Sequence, residues 1–592
     1  MELMRSSLSS LHAVDVNYPT TSISPVPTTM PISIRGQSRL PCFATPPKCK
    51  PLQVEPRRTA NYHPSIWDPK LIESLNNSYA HEFHATKLEE LKLEAKRLLV
   101  CTKDPCVLLK LIDSMQRLGV AYHFQLEIKE ALDHVKLDVT GDLYTTALQF
   151  RLLREHGYSV STDIFEKFKD GDGRFMESIG KDVAGLLSLY EASQLGRQGE
   201  IVLEQAKNFS AQNLKSFLRK VESSGSDIAE QVQQSLELPL HWRMPRAEAR
   251  SFIHVYQKDD TKSLILLELA KLDYNIVQAA YQRELKELAS WWRDLGIMKE
   301  LSFSRDRLVE NYLWAMGIVF EPHFYKCRIA LTKLVCILTA IDDMYDVYGS
   351  LDELELYTDA VTRWDLSAME ALPDYMKICY LAMFNFGNEF ANDVQKDHDL
   401  NALSFIKREW GNLCKSYLKE ARWHHTGYTP TLKQYLENAW ISVGGPGAMV
   451  HAYLSLGCTM SKDSLDSCFK HASHLIYWSS LIGRLCNDLG TSQAESIRGD
   501  VTKSTECFIM EEGESEEEAR EHIRGLIRHS WEMLNEENAN SQIPKPMVKM
   551  CLNMARTAHY IFQHGDGIGT STGLTKDRIT SLLLDPIPIK QF

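Results

Sequence analysis

No run of about 18 apolar residues occurs in the 592-residue chain, so no membrane-spanning helix is expected. The longest greasy run, Leu334–Ile341 (LVCILTAI), falls far short of a span. None of the 13 cysteines forms a Cys-x-x-Cys pair, and no Cys/His group has zinc-ligand spacing. A zinc module is therefore excluded, and isolated thiols in a reducing compartment are expected. Proline (22) and glycine (30) are sparse, which excludes collagen-like and linker-dominated chains. Asn-Gly is absent, and Asp-Gly occurs only in KDGDGR and HGDGIG without flanking alternation, so hairpins are not expected. No fixed-period repeat is evident, which disfavours a solenoid. A net charge of -12 is the wrong sign for a nucleic-acid surface, while leaving room for a local basic pocket for an anion.

What is present is ordinary globular material: 44% hydrophobic and 24% charged residues, enough for sizeable cores. The length predicts two large domains or several smaller ones. Residues 1–56 stand apart. They are rich in Ser, Thr and Pro, carry only Glu2, Asp15 and Glu55 as acids, and scatter Arg5, Arg35, Arg39, Lys48 and Lys50. Without a compact apolar core and small-residue cleavage site, this composition fits an organelle transit peptide rather than a secretory signal. It cannot bury enough apolar area to order itself. From Arg57 onward Leu, Glu, Lys and Ala dominate at spacings of three and four, as in Leu88, Leu91, Leu98 and Leu99, which predicts an all-α fold. The polar break Gln257–Asp260 divides it into an N-terminal helical domain, 57–257, and a C-terminal one, 258–592. The acid run Glu511–Arg520 reads as solvated surface.

Two acidic clusters carry chemistry. In Asp342-Asp343-Met344-Tyr345-Asp346, which closes an apolar helical run, Asp342 and Asp346 are four apart and share a helix face; Asp343 points about 100° away. Like charges at that spacing repel, and at the end of a buried helix they need cationic compensation. In Asn487-Asp488-Leu489-Gly490-Thr491-Ser492-Gln493-Ala494-Glu495, the residues Asn487, Thr491 and Glu495 form one oxygen-bearing stripe. Such hard ligands suit Mg²⁺ or Mn²⁺, which take a few protein oxygens and let substrate phosphate and water complete the shell. Arg305 and Arg307 lie upstream of the first cluster, Arg484 one turn before Asn487, and Lys503 beyond Glu495. Arg forks and a Lys point charge suit a diphosphate.

At these residues the sequence resembles the class I terpene synthases, specifically the angiosperm monoterpene synthases. The resemblance covers the chain after residue 56. It rests on Arg57-Arg58 and Trp67 in RRTANYHPSIW, on Arg305-Asp306-Arg307, on DDMYD and on NDLGTSQAE, with FRLLREHGY, LELPLHWRMPRAEAR and LKEARW among further matching segments. It implies a two-domain helical fold, the C-terminal bundle enclosing a central active-site cavity, preceded by a plastid transit peptide. It implies metal ligation by Asp342, Asp346, Asn487, Thr491 and Glu495, with Asp343 in the motif but not a direct ligand. It implies diphosphate contact by Arg305, Arg307, Arg484 and Lys503, a lid of Arg57, Arg58 and Trp67, and Trp291 as a pocket aromatic. Three Mg²⁺ or Mn²⁺ ions would act with the substrate, geranyl diphosphate, in a plastid-stromal enzyme expected to be monomeric. One departure is Phe562 in YIFQHGDG, where the family usually has Tyr; Asp566 is retained.

Rivals are separable. A chain-elongating prenyl transferase normally carries a second aspartate-rich motif in place of NDLGTSQAE. A proton-initiated cyclase needs a DxDD acid in the N-terminal half, and Asp170-Gly171-Asp172 lacks it. A sesquiterpene synthase on farnesyl diphosphate or an isoprene synthase on dimethylallyl diphosphate shares the scaffold and stays open. A non-catalytic scaffold would have no reason to keep both oxygen stripes.

Overall fold

The structure, a computed structural model, describes residues 57–135, 141–221, 227–456, 462–498, 502–540 and 543–589, with the side chains of 462–464 and 493–498 outside that description. The proposed leader, 1–56, lies outside the described residues. Among the described residues no strand forms; a lone antiparallel bridge joins Lys169 and Phe175. The N-terminal half comprises α1 (Pro69–Ser74), α2 (His81–Cys101), α3 (Pro105–Arg117), α4 (Gln125–His134), α5 (Leu143–Glu155), α6 (Val183–Ser193), α7 (Ile201–Val221), α8 (Asp227–Glu237) and α9 (Pro245–Lys258). The C-terminal half comprises α10 (Leu264–Leu295), α11 (Leu308–Ile318), α12 (Tyr325–Asp343), α13 (Leu351–Arg363), α14 (Asp374–His398), α15 (Leu403–Thr426), α16 (Leu432–Ser442), α17 (Gly445–Ser455), α18 (Lys462–Arg498), α19 (Ser504–Glu512), α20 (Glu516–Asn540), α21 (Lys545–Phe562) and α22 (Leu574–Leu583).

Local chemistry sets the ends. Asp68, Asp104, Asp142 and Asp182 cap α1, α3, α5 and α6 by accepting first-turn backbone N–H groups. Gly296, Gly427 and Gly513 take the left-handed conformation just past α10, α15 and α19. No described helix is long and apolar enough to cross a membrane. The described cysteines are all free thiols.

Among the described residues three hydrophobic cores form: a small one of Leu186, Tyr190, Leu214 and Val232, and two large ones, both crossed by α10. Its Leu266 to Ile276 side packs with α2–α7 and α9, while Val277, Tyr281, Leu285 and Leu288 pack into the C-terminal half. The polar break at 257–260 lies just ahead of this helix, so the change of core falls several turns later. The C-terminus returns to the same helix: the Asn275 amide donates to the Ile587 carbonyl (2.8 Å) and accepts its N–H (2.7 Å). Gln278 and Gln282 donate to the carbonyls of Leu582 and Leu583 (3.0 and 2.9 Å).

One buried ion pair fastens α10 to α12. Arg328, with no exposed surface, donates to both Glu284 oxygens (2.8 and 2.7 Å) and to the carbonyls of Val319 and Glu321. Tyr312 adds a third donor to Glu284 at 2.8 Å. Removing one partner strands a buried charge, so Glu284→Ala is expected to cost about 3–5 kcal/mol. Its melting temperature should fall by several degrees relative to wild type. An unchanged value rules out a stabilising role for this pair.

Candidate active site

The catalytic half encloses a cavity of about 1300 Å³, including its open mouth. Its wall is built from α11, α12, α15, the α16–α17 junction, α18 and α21, with Tyr62, Lys503 and Asp566 from loops. The α16–α17 junction depends on glycine. Gly444 has φ +78°, and a Cβ there would meet Leu338 at 2.5 Å; one at Gly445 would meet the Ser480 hydroxyl at 2.2 Å.

On the first wall, the apolar α12 ends at Asp343, and the next turn, Met344–Tyr348, is π-helical, with Gly349 N–H donating to the Met344 carbonyl (2.8 Å). The spacing predicts a continuous α-helix through Asp346; the inserted π turn, a feature frequent at functional sites, replaces it. Asp342 and Asp346 nonetheless both face the cavity. Asp343 is fully buried behind them, as the wheel angle predicts. It accepts the Arg305 backbone N–H (2.7 Å) and the Ser304 hydroxyl (3.2 Å), and its Oδ1 lies 2.7 Å from Arg305 Nε. Burial pushes the Asp343 carboxyl up to about 6 against the pull of Arg305. Arg305 Nη2 donates to Asp342 at 2.6 Å. Burial disfavours the Arg305 charge, but the carboxylates of Asp343 and Asp342 overcome it and hold the guanidinium firmly protonated.

On the second wall, α18 presents Asn487 and Thr491 to the cavity. Glu495 lies further along the same helix, its side chain outside the described residues. Asp488 is buried behind Asn487 and accepts Arg484 Nε (2.7 Å), the Tyr435 hydroxyl (3.0 Å) and Ser504 N–H (3.3 Å). Arg484 also donates to the Asn487 side-chain oxygen. Lys503 precedes α19 and lines the cavity while almost fully buried. Among the described residues no three His, Cys, Asp or Glu side chains converge on one point. The donors are hard oxygens split between two walls, a set that fits Mg²⁺ or Mn²⁺ completed by substrate oxygens.

A strap crosses the mouth. Arg57 donates to both Glu353 oxygens (2.7 and 2.8 Å) and to the Tyr348 carbonyl (3.2 Å). Arg58 Nη1 reaches His424 Nε2 (2.8 Å) and the Asp346 carbonyl (3.4 Å). Trp67 is buried, its indole N–H donating to Glu310 (3.0 Å). Asn61 takes a left-handed φ of 49°, and the next residue, Tyr62, lines the cavity with its ring 5.0 Å from the Arg305 guanidinium.

Two expectations are corrected. Arg307 is not in the cavity wall. At the N-cap of α11 its buried guanidinium is taken up by the carbonyls of Ile568 (2.9 Å), Gly569 (2.8 Å) and His63 (3.0 Å), so it ties the strap to the HGDG loop. Trp291 is not there either: no residue of α10 reaches the wall, and Trp291 lies under Lys333 (5.3 Å) and beside Trp292. The wall aromatic is Trp314, whose ring centroid lies 6.1 Å from that of Phe562. Sequence reading also missed Asn311, Tyr417 and Glu420 on the wall. For Trp314 the only signal was its spacing from Asn311 and Ile318 on one face of α11.

The Arg57 contact holds the Glu353 carboxyl down to about 2. Because the folded value lies below the ordinary one, the pair is intact above about pH 4 and lost only as pH falls toward 2. Glu353→Gln should therefore loosen the strap at neutral pH and speed trypsin cleavage after Arg57 and Arg58 several-fold; equal cleavage rates would show that Glu353 does not hold it.

Comparison with known proteins agrees with this arrangement. Residues 66–236 match the family "Terpene synthase, N-terminal domain", and residues 293–533 match "Terpene synthase family, metal binding domain". A Ricinus communis protein named "Probable terpene synthase 9" is 58% identical over 94% of this chain and 95% of its own length. The Litsea cubeba "Trans-ocimene synthase, chloroplastic" is 57% identical over 90% and 91%. A limonene synthase solved with 2-fluorolinalyl diphosphate superposes with TM-score 0.86 at 40% identity, covering 90% of this chain and 100% of that one. Grey poplar (Populus x canescens) isoprene synthase, solved with three Mg²⁺ ions and dimethylallyl-S-thiolodiphosphate, gives 0.81 at 40%, over 88% and 99%. With both halves matched and a relative 58% identical along nearly its whole length, this chain belongs to the terpene synthase family.

Proposed function

We propose that this chain is a monoterpene synthase that ionises geranyl diphosphate and converts the carbocation into an acyclic or cyclic olefin or alcohol. The observation that carries the reading is the pair of oxygen-bearing walls across one apolar cavity, flanked by three cations. Asp342 and Asp346 on one side, with Asn487, Thr491 and Glu495 on the other, would hold Mg²⁺ or Mn²⁺, three ions with the substrate as in the isoprene synthase complex. When bound, the metal supplies positive charge that stabilises the departing diphosphate. Arg305, Arg484 and Lys503 bind its oxygens and fix its orientation before ionisation, so their charge needs no reorganisation. The faces of Trp314 and Phe562 stabilise the allylic cation by about 0.5–2 kcal/mol each. The strap, with Tyr62 in the wall, keeps water from the cation. Once released, diphosphate held beside the cation is a base already in place, and the wall carries no histidine to compete.

The reading extends to organisation and place. Residues 57–257 form the N-terminal domain, 258–592 the catalytic domain, and one chain holds a complete site. Residues 1–56 act as a plastid transit peptide delivering the enzyme to the stroma, in line with the "chloroplastic" relatives from Litsea cubeba and Quercus ilex. Geranyl rather than dimethylallyl diphosphate is favoured by Gly483, a wall residue with open space where a side chain would stand.

The deciding experiment supplies geranyl, farnesyl and dimethylallyl diphosphates with Mg²⁺ to protein starting at Arg57, measures diphosphate release and identifies volatiles by gas chromatography. Geranyl diphosphate should give the highest kcat/KM; a preference for either other substrate overturns the assignment. Asp342→Ala should lower kcat/KM at least ~100-fold, about 2.7 kcal/mol. Gly483→Phe should lower turnover of geranyl diphosphate more than that of dimethylallyl diphosphate, and equal losses would remove Gly483 as a length determinant. Arg58→Ala should shift products toward acyclic ones, whereas an unchanged product ratio denies the strap a part in cyclisation.

A further inference from the structure

Each wall of the site carries the same device. On α12, Asp342 faces the cavity and its neighbour Asp343 is fully buried behind it; on α18, Asn487 faces the cavity and its neighbour Asp488 is fully buried behind it. Each buried carboxylate lies 2.7 Å from the Nε of one arginine, Asp343 from Arg305 and Asp488 from Arg484. In both arginines Nη2 then reaches the cavity-facing neighbour, Asp342 or Asn487. Both guanidinium groups line the cavity; neither aspartate does.

The two aspartates also fix the backbone that carries the cations. Asp343 accepts the N–H of Arg305 itself and the Ser304 hydroxyl. Asp488 accepts Ser504 N–H, next to Lys503, and the hydroxyl of Tyr435 on α16. A carboxylate stripped of water is costly unless it is paired, and here the pairing partner is the cation that faces the cavity. On α18 the grip is a hydrogen bond from Arg484 Nε; on α12 the Arg305 Nε–Asp343 approach is an ion pair without hydrogen-bond alignment, and Asp343 holds Arg305 through its backbone N–H as well, so in each case the rigid guanidinium is set by the buried carboxylate.

From this repeated geometry we propose that Asp343 and Asp488 are positioning residues, one per wall, that aim Arg305 and Arg484 at the substrate's diphosphate and take no part in holding metal. The proposal rests on the site reading given above and names how its cations are set. The second residue of each cluster is thereby explained: the first of each pair, Asp342 or Asn487, serves the cavity, and the second, Asp343 or Asp488, serves the arginine.

The test is calorimetric binding of inorganic diphosphate with Mg²⁺ to protein starting at Arg57. Asp343→Asn and Asp488→Asn should each weaken diphosphate binding at least about tenfold, in the range of a lost charge-assisted hydrogen bond. The deficit should persist at saturating Mg²⁺. It should shrink to about twofold or less when Asp343→Asn is made in an Arg305→Lys background, and likewise for Asp488→Asn in Arg484→Lys, because contacting residues are not additive. A deficit that disappears as Mg²⁺ is raised makes the aspartate a metal ligand and overturns the proposal. So does an equal deficit in the lysine backgrounds, or none at all. Thermal melts report whether each variant folds; if one asparagine variant does not, the other wall's cycle decides. Wild type that binds no Mg²⁺–diphosphate would instead sink the site reading itself.

Discussion

The constraint that governs this molecule is electrostatic. Asp342, Asp346 and Asn487 face one cavity from two walls, yet carboxylates in apolar surroundings are unstable without countercharge. The chain supplies that charge locally. Arg305 bridges Asp342 and Asp343, and Arg484 bridges Asn487 and Asp488. The same guanidinium groups that balance these carboxylates line the cavity. Under the proposed function, stability and ligand recognition thus draw on the same side chains.

The remainder of the fold holds the two walls at a fixed separation. Glu284 and Arg328 lock α12 to α10, and α10 continues into the N-terminal core. The glycines at the α16–α17 junction let that segment approach Leu338 on one wall helix and Ser480 on the other within contact distance. Mechanical rigidity comes from packing, since side chains such as Trp410 and Tyr435 are almost wholly buried between helices. The π turn after α12 is packed as well, with Met344, Tyr345 and Val347 buried, and it carries Asp346, the second cavity-facing aspartate of the first wall.

How much of this was legible in the residues depends on range. The all-α texture followed from three-and-four spacing, and the pairing of Asp342 with Asp346 and Asn487 with Thr491 followed from the same period. Asp343 facing away was likewise a one-turn argument. The π turn was not legible, because the residues Met344–Tyr348 carry no signal distinguishing a five-residue from a four-residue bond. Trp314 was passed over because α11 is buried on nearly every side, Glu310 and Asn311 included, so its pattern does not single out the face that meets the cavity. Trp291 comes from the resemblance alone, and nothing in its spacing bears on how α10 packs; it lies under Lys333 and outside the wall. Arg307 was misassigned because its partners, Ile568, Gly569 and His63, lie more than 240 positions away in the chain.

The strap has a consequence for where the chain can be shortened. Arg57 is fastened beside Tyr348 and Glu353, and Arg58 reaches His424 and the Asp346 carbonyl. A chain begun at residue 59 would lose both rim anchors at once and leave Tyr62, His63 and Trp67 to hold the strap.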